Sequence, residues 1–131
     1  MQLALATRTT GSVPEVIERV RTALADQGFG VLTEIDMSAT LKTKIGVDLE
    51  DYVILGACNP GMAHRAVTAE KQVGLLLPCN VVVRSDPAEP GSAIVEAMNP
   101  QIMSSVVDDN PALTEVADEV TQLLQKAIDT L

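Results

Sequence analysis

Two cysteines and one histidine carry the soft, polarisable chemistry open to this chain: Cys58 and His64 in "CNPGMAHR", and Cys79 in "LLPCNVVV". Cys58 immediately precedes Asn59-Pro60. That pair opens helices, because asparagine caps free N–H groups and proline fits the first helical position. The unpaired N–H groups and positive end of such a helix favour a thiolate at Cys58. His64 follows about one turn further on, and helical side chains lean back toward the N-terminus, so the two could approach. If the strand holding Cys79 neighbours the one holding Cys58, two thiolates and an imidazole converge. That set suits zinc or copper, with Met62 as a soft fourth group. The competing reading is structural. Free cysteines are among the most buried residue types, Asn59 is a helix cap, and His64 is a helix-start histidine with its hydrogen bonds satisfied. Asn80 sits in an apolar run, where a buried amide needs protein partners or a ligand.

Glu34 and Asp36 form a second candidate pair. At positions i and i+2 of one strand their carboxylates share a face, and mutual repulsion would raise the proton affinity of one, as in acid–base pairs. The alternative is a polar strand face near a helix cap, with Lys42 and Lys44 compensating the charge. No serine lies in a nucleophile-elbow context, and no glycine-rich loop follows a strand as a phosphate site requires.

Composition bounds what these residues can serve. The chain has 131 residues, is 47% hydrophobic and carries a net charge of −9. That length suits one domain over residues 1–131, burying about two-thirds of its unfolded surface. With Phe29, Tyr52 and no tryptophan, the core must be aliphatic. A basic stripe and stacking aromatics are both missing, which argues against nucleic acid. The charge also disfavours an anionic membrane surface. No signal-like segment opens the chain and no apolar run approaches spanning length, so a cytoplasmic protein with reduced thiols is expected.

The elements that must position these residues alternate. Residues 2–8 read as a strand. Ser12 and Glu15 make a capping box, and Val13, Val16, Ile17, Val20 and Leu24 share one helical face that Gly28 closes. Residues 29–37 read as a strand with Phe29, Val31, Thr33, Ile35 and Met37 on one side. Ser38 then caps a short helix with Leu41 and Ile45 inward, ending at Gly46. Residues 51–58 form a strand, and the helix capped by Asn59 runs to about Glu70. The apolar segment 73–86 reads as a strand, with Pro78 suggesting an edge or a bulge. Turn residues 87–91 lead to strand 92–98. Asn99-Pro100 and Asn110-Pro111 repeat the helix start, and Leu113, Val116, Val120, Leu124 and Ala127 form a long stripe. The order is β-α-β-α-β-α-β-β-α-α, an α+β sheet backed by helices mainly on one side. Covering the other side calls for a partner subunit, hence a homodimer, unless the chain's own helices cover both.

The segments "GFGVLTEIDMSATLKTKIGVD", "YVILGACNPGMAHRAV" and "VGLLLPCNVVV" closely resemble the family named domain of unknown function 302, over about residues 2–130. The resemblance implies a small α/β protein similar to the TATA-box-binding-protein-like fold. It also picks out Glu34, Asp36, Lys44, Cys58, Asn59, Pro60, His64, Arg65, Cys79 and Asn80. Where many relatives have proline this chain has Gly61. No reaction is implied, and the shared fold name does not imply DNA binding.

Three functions follow as expectations. The first is binding of a soft metal ion or a small thiol-reactive molecule near Cys58, His64 and Cys79. The second is an enzyme with Cys58 as nucleophile or redox thiol, His64 as base and Glu34 or Asp36 as orienting acid. The third is a structural or interaction module in which these residues are caps and core.

Overall fold

Ser12 accepts from the Glu15 N–H while Glu15 reaches back to the Ser12 N–H. This capping box starts α1, Val13–Asp26, in the computed structural model, which describes residues 1–131. The other helices are α2 (Met37–Ile45), α3 (Pro60–Ala69), α4 (Gln101–Val106) and α5 (Pro111–Asp129). The strands are β1 (Ala4–Thr10), β2 (Gly30–Asp36), β3 (Tyr52–Cys58), β4 (Cys79–Ser85) and β5 (Ser92–Met98). They form one antiparallel sheet in the order β1-β5-β4-β3-β2. The fold is α+β, a five-stranded sheet backed by helices. No helix is long and apolar enough to cross a membrane.

Alternation decides which side is dry. Val53, Leu55 and Ala57 of β3, Cys79, Val81 and Val83 of β4, and Ala93, Val95 and Ala97 of β5 are buried under α1 and α5. The intervening residues, including Ile54, Val82 and Ile94, stay half-exposed on the opposite, open face. Leu113, Val116, Val120 and Leu124 bury the expected stripe of α5.

Three local expectations need correction. Residues 71–76 form a short 3-10 helix, not the start of a strand, and β4 begins only after the cis peptide Leu77–Pro78. Pro78 therefore marks neither an edge nor a bulge: it precedes the central strand, where its missing N–H costs the ladder nothing. In β2 a bulge shifts the register between Val31 and Thr33. An extra residue reverses the facing of everything after it. Val31 pairs with buried Ala57, but Thr33 and Ile35 pair with Gly56 and Ile54 on the open face. Asp36, not Ser38, caps α2, and Ile45 at its end is exposed rather than inward. Gly46, in the left-handed conformation, closes that helix as expected.

The repeated Asn-Pro pairs each do two things. Asn59 accepts from the Met62 N–H and donates to the Gln27 carbonyl beyond α1. Asn110 accepts from the Leu113 N–H and donates to the Ala69 carbonyl at the end of α3. Asn99 accepts from the Gln101 N–H and donates to the Gln2 carbonyl. Asn59 and Asn110 are the caps of α3 and α5 and also tie them to distant segments. α4 instead starts after Pro100, with Asn99 one residue ahead of its cap position, so the Asn99-Pro100 start differs from the other two.

Candidate functional site

The end of β3 is built to be small and close-packed. Gly56 lets Thr33 and Pro78 approach: a Cβ there would collide with the Thr33 hydroxyl and lie 2.8 Å from the Pro78 ring. Ala57 follows, fully buried and opposite Cys79. Cys58 ends the strand, half-buried, and Asn59 turns the chain into α3. Gly28, with φ +85, brings its Cα side to Asn59, where an added Cβ would sit 3.0 Å from the amide nitrogen. Gly28 thus closes the corner around the capping asparagine, while Gly56 packs β3 against Thr33 and Pro78.

Under that corner lies an apolar cavity of about 30 Å3. Its wall includes Cys58, Asn59, Met62 and Cys79, with Phe29 and Met103 deeper in. No charged residue lines it. Both cysteines are free thiols. Burial pushes the Cys79 thiol up to about 11, and the neighbouring Cys58 adds to the rise. At neutral pH Cys79 is therefore a neutral thiol and a weak nucleophile. The pocket residues Met103, Val116 and Val120 come from α4 and α5. In the sequence Val116 and Val120 read only as the buried stripe of the last helix, and no signal marks any of the three as pocket wall.

His64 lies elsewhere. It is exposed on α3 and does not line the cavity. Its neighbour Arg65 binds α3 to α5 through Glu119, with Glu115 at 4.0 Å, and donates to the Met62 sulfur at 3.6 Å. No group of three or more His, Cys, Asp or Glu side chains is arranged to hold a metal ion. The set Cys58, His64 and Cys79 thus does not fit zinc or copper: the histidine faces outward, and two cysteines alone do not make a site. Asn80 is exposed on the open face, not a buried amide in need of partners.

Glu34 and Asp36 stand at the other end of β3, beside a separate cleft of about 300 Å3 between α1 and the β2–β3 pair. The bulge turns both toward the helix side, where they pair with Leu55 and Val53. Neither is arranged as a shared-proton partner. Glu34 accepts from Arg21 at 2.7 Å. Asp36 accepts from the Ala39 N–H at 2.9 Å and the Ser38 hydroxyl at 2.8 Å, which hold its carboxyl below the usual range, the Ala39 bond contributing most. The expected rise in proton affinity is reversed at Asp36, because the hydrogen-bond donors that favour the charge outweigh the small desolvation that opposes it. From Val53 to Cys58 the strand runs about 17 Å, so these carboxylates cannot orient a base on α3 near Cys58.

The family model described as "Domain of unknown function DUF302" matches residues 5–131. The chain is similar to the crystal structure of an uncharacterized conserved DUF302 protein from Bacillus stearothermophilus, with 31% identity, a TM-score of 0.88 and 98% of each chain covered. No curated protein matches it.

Proposed function

The chain belongs to the DUF302 family, and within that frame we propose that it binds a small, uncharged, thiol-reactive molecule at the cavity beside Cys58. One observation carries this reading: both cysteines of the chain border a single apolar cavity whose wall holds no charge. Its size, about 30 Å3, accepts one small group, on the scale of a water or a methyl. Cys58 is the reacting partner, half-buried at the rim and next to a helix start. Cys79 serves as a neutral, polarisable wall. A metal ion is the poorer occupant, since no third ligand converges. A catalytic set is not assembled either, because His64, Glu34 and Asp36 lie away from the thiols.

Methyl methanethiosulfonate tests the reading. The Cys58 thiol gives its proton to solvent, its sulfur attacks the S–S bond, a mixed methyl disulfide forms, and methanesulfinate leaves with the electron pair. Against a negatively charged thiosulfonate, each rate normalised to a free small thiol, the neutral reagent should be preferred at least about tenfold, a difference of about 1.4 kcal/mol. Equal normalised rates would mean that the cavity does not select its ligand.

A further inference from the structure

We propose that Met62 sets the size of molecule that the cavity beside Cys58 accepts, and that Arg65 fixes Met62 in place from the next turn of α3. The inference rests on that cavity being the binding site, as proposed above. It narrows the ligand class to molecules that deliver to the thiol a group on the scale of a methyl.

The wall is not uniform. Phe29, Cys79, Met103, Val116 and Val120 are buried and form the floor. The lining residues that reach the surface are Cys58, Asn59, Met62, Ala63, Leu77 and Pro78. Of these, alanine and proline have no side-chain freedom to lose. Asn59 is held by its bonds to the Met62 N–H and the Gln27 carbonyl. Leu77 is branched, whereas methionine is unbranched and has the most torsions, so a free Met62 would be the soft part of the rim.

Met62 is not free. Its N–H is taken by the Asn59 side chain at 3.3 Å. Its sulfur accepts from Arg65 Nη1 at 3.6 Å. Three residues apart, the two side chains share one helical face. The same Nη1 pairs with Glu119 of α5, and a guanidinium nitrogen has hydrogens enough for both contacts. The Glu119 oxygen in that pair is sealed from water and has no other partner. Such a contact is screened less than one in open solvent. Glu115 stands 4.0 Å from Arg65 Nη2 on the same side. Glu119 lies between Val116 and Val120 in the chain, so the turn of α5 that anchors Arg65 also supplies part of the floor. The chain from α5 through Arg65 to Met62 turns the most pliable residue of the rim into a fixed limit.

The test compares methyl and n-butyl methanethiosulfonate on the full chain, each rate normalised to a free small thiol. Both reagents are neutral, both form a mixed disulfide with Cys58 and both release methanesulfinate, so only the length of the delivered group differs. The wild type should prefer the methyl reagent by at least about tenfold, the discrimination that a misfit of methylene size gives in a hydrophobic pocket. Met62→Ala should bring the ratio close to unity. Arg65→Met keeps an apolar stem but no donor; it should lower the ratio severalfold while the preference for a neutral over a negatively charged thiosulfonate persists. It also gives an independent reading if Met62→Ala fails to fold. Equal normalised rates for the two reagents on the wild type overturn the inference, as does an unchanged ratio in either folded variant. A wild type without charge preference sinks the binding reading and this inference with it. Charge preference without size preference sinks this inference alone.

Discussion

The two ends of β3 have opposite chemistries. At its C-terminal end, Ala57 and Cys58 meet Cys79 around an apolar cavity with no charge. At its N-terminal end, Tyr52 and Val53 meet Glu18, Glu34, Asp36 and Asp51 in an open, acidic cleft. The strand is the same; the cover differs. Over the first end, α3 is tied down by Asn59 and braced against α5 by Arg65. Beside the second, α2 has no buried residue at all. Desolvation rules where helices seal the sheet and raises a thiol; hydrogen bonds and solvent rule where they do not, and they lower a carboxyl.

The contrast is sharpest at opposite extremes of pH. Cys79 is raised from 9.0 to about 11 in the fold. Below pH 9 the thiol is protonated in folded and unfolded chains alike, and the fold keeps its full stability. Between about 9 and 11 the unfolded chain ionises first, so stability falls, by up to about 3 kcal/mol. The alkaline loss measured in urea titrations should shrink by that amount in Cys79→Ala. An identical alkaline slope in both proteins would mean that Cys79 is not desolvated.

Next in size is the cap that closes the sealed end. Asn59→Ala should cost about 1–2 kcal/mol, because it removes the cap of α3 and the bond to Gln27 together. Asp36→Ala removes the cap of α2 at the unsealed end and should cost less, because nothing beyond the helix hangs on it. A larger loss at Asp36 than at Asn59, read from denaturation midpoints, would break the comparison.

The acid response is smaller. The carboxyl of Asp36 is depressed from 3.8, so its stabilisation is present above that value and fades as pH falls through the folded value. Asp36→Asn should retain the cap and lose that acid dependence. Smallest of all is Glu34→Gln. Its pair with Arg21 is well exposed on both sides, so the change should stay within about 0.5 kcal/mol.

What the sequence disclosed follows the same division. α1, α3 and α5 were legible because caps and stripes are local signals: Ser12 with Glu15, Asn59-Pro60, Asn110-Pro111 and the Leu113–Leu124 face. The run 73–83 was not, because uniform hydrophobicity cannot separate a 3-10 turn from a strand. The bulge at Val31/Thr33 left no mark in the residue types, yet it decides which way Glu34 and Asp36 point. Asp36 also won the cap from Ser38, two residues on, a competition that local pattern cannot settle. At the candidate site the pairing of Cys79 with Ala57, beside Cys58, was within reach of strand reasoning. The outward turn of His64 was not, since it depends on how α3 rolls against α5.

The central reading rests on one thiol being reactive and the other sealed. Intact mass after brief exposure to methyl methanethiosulfonate at neutral pH measures this directly in the wild type, Cys58→Ser and Cys79→Ser. The account predicts a single methylthio adduct on the wild type and on Cys79→Ser at similar rates, and almost none on folded Cys58→Ser. Rapid labelling of Cys58→Ser, with Cys79→Ser slow, would contradict it and place the accessible thiol on β4.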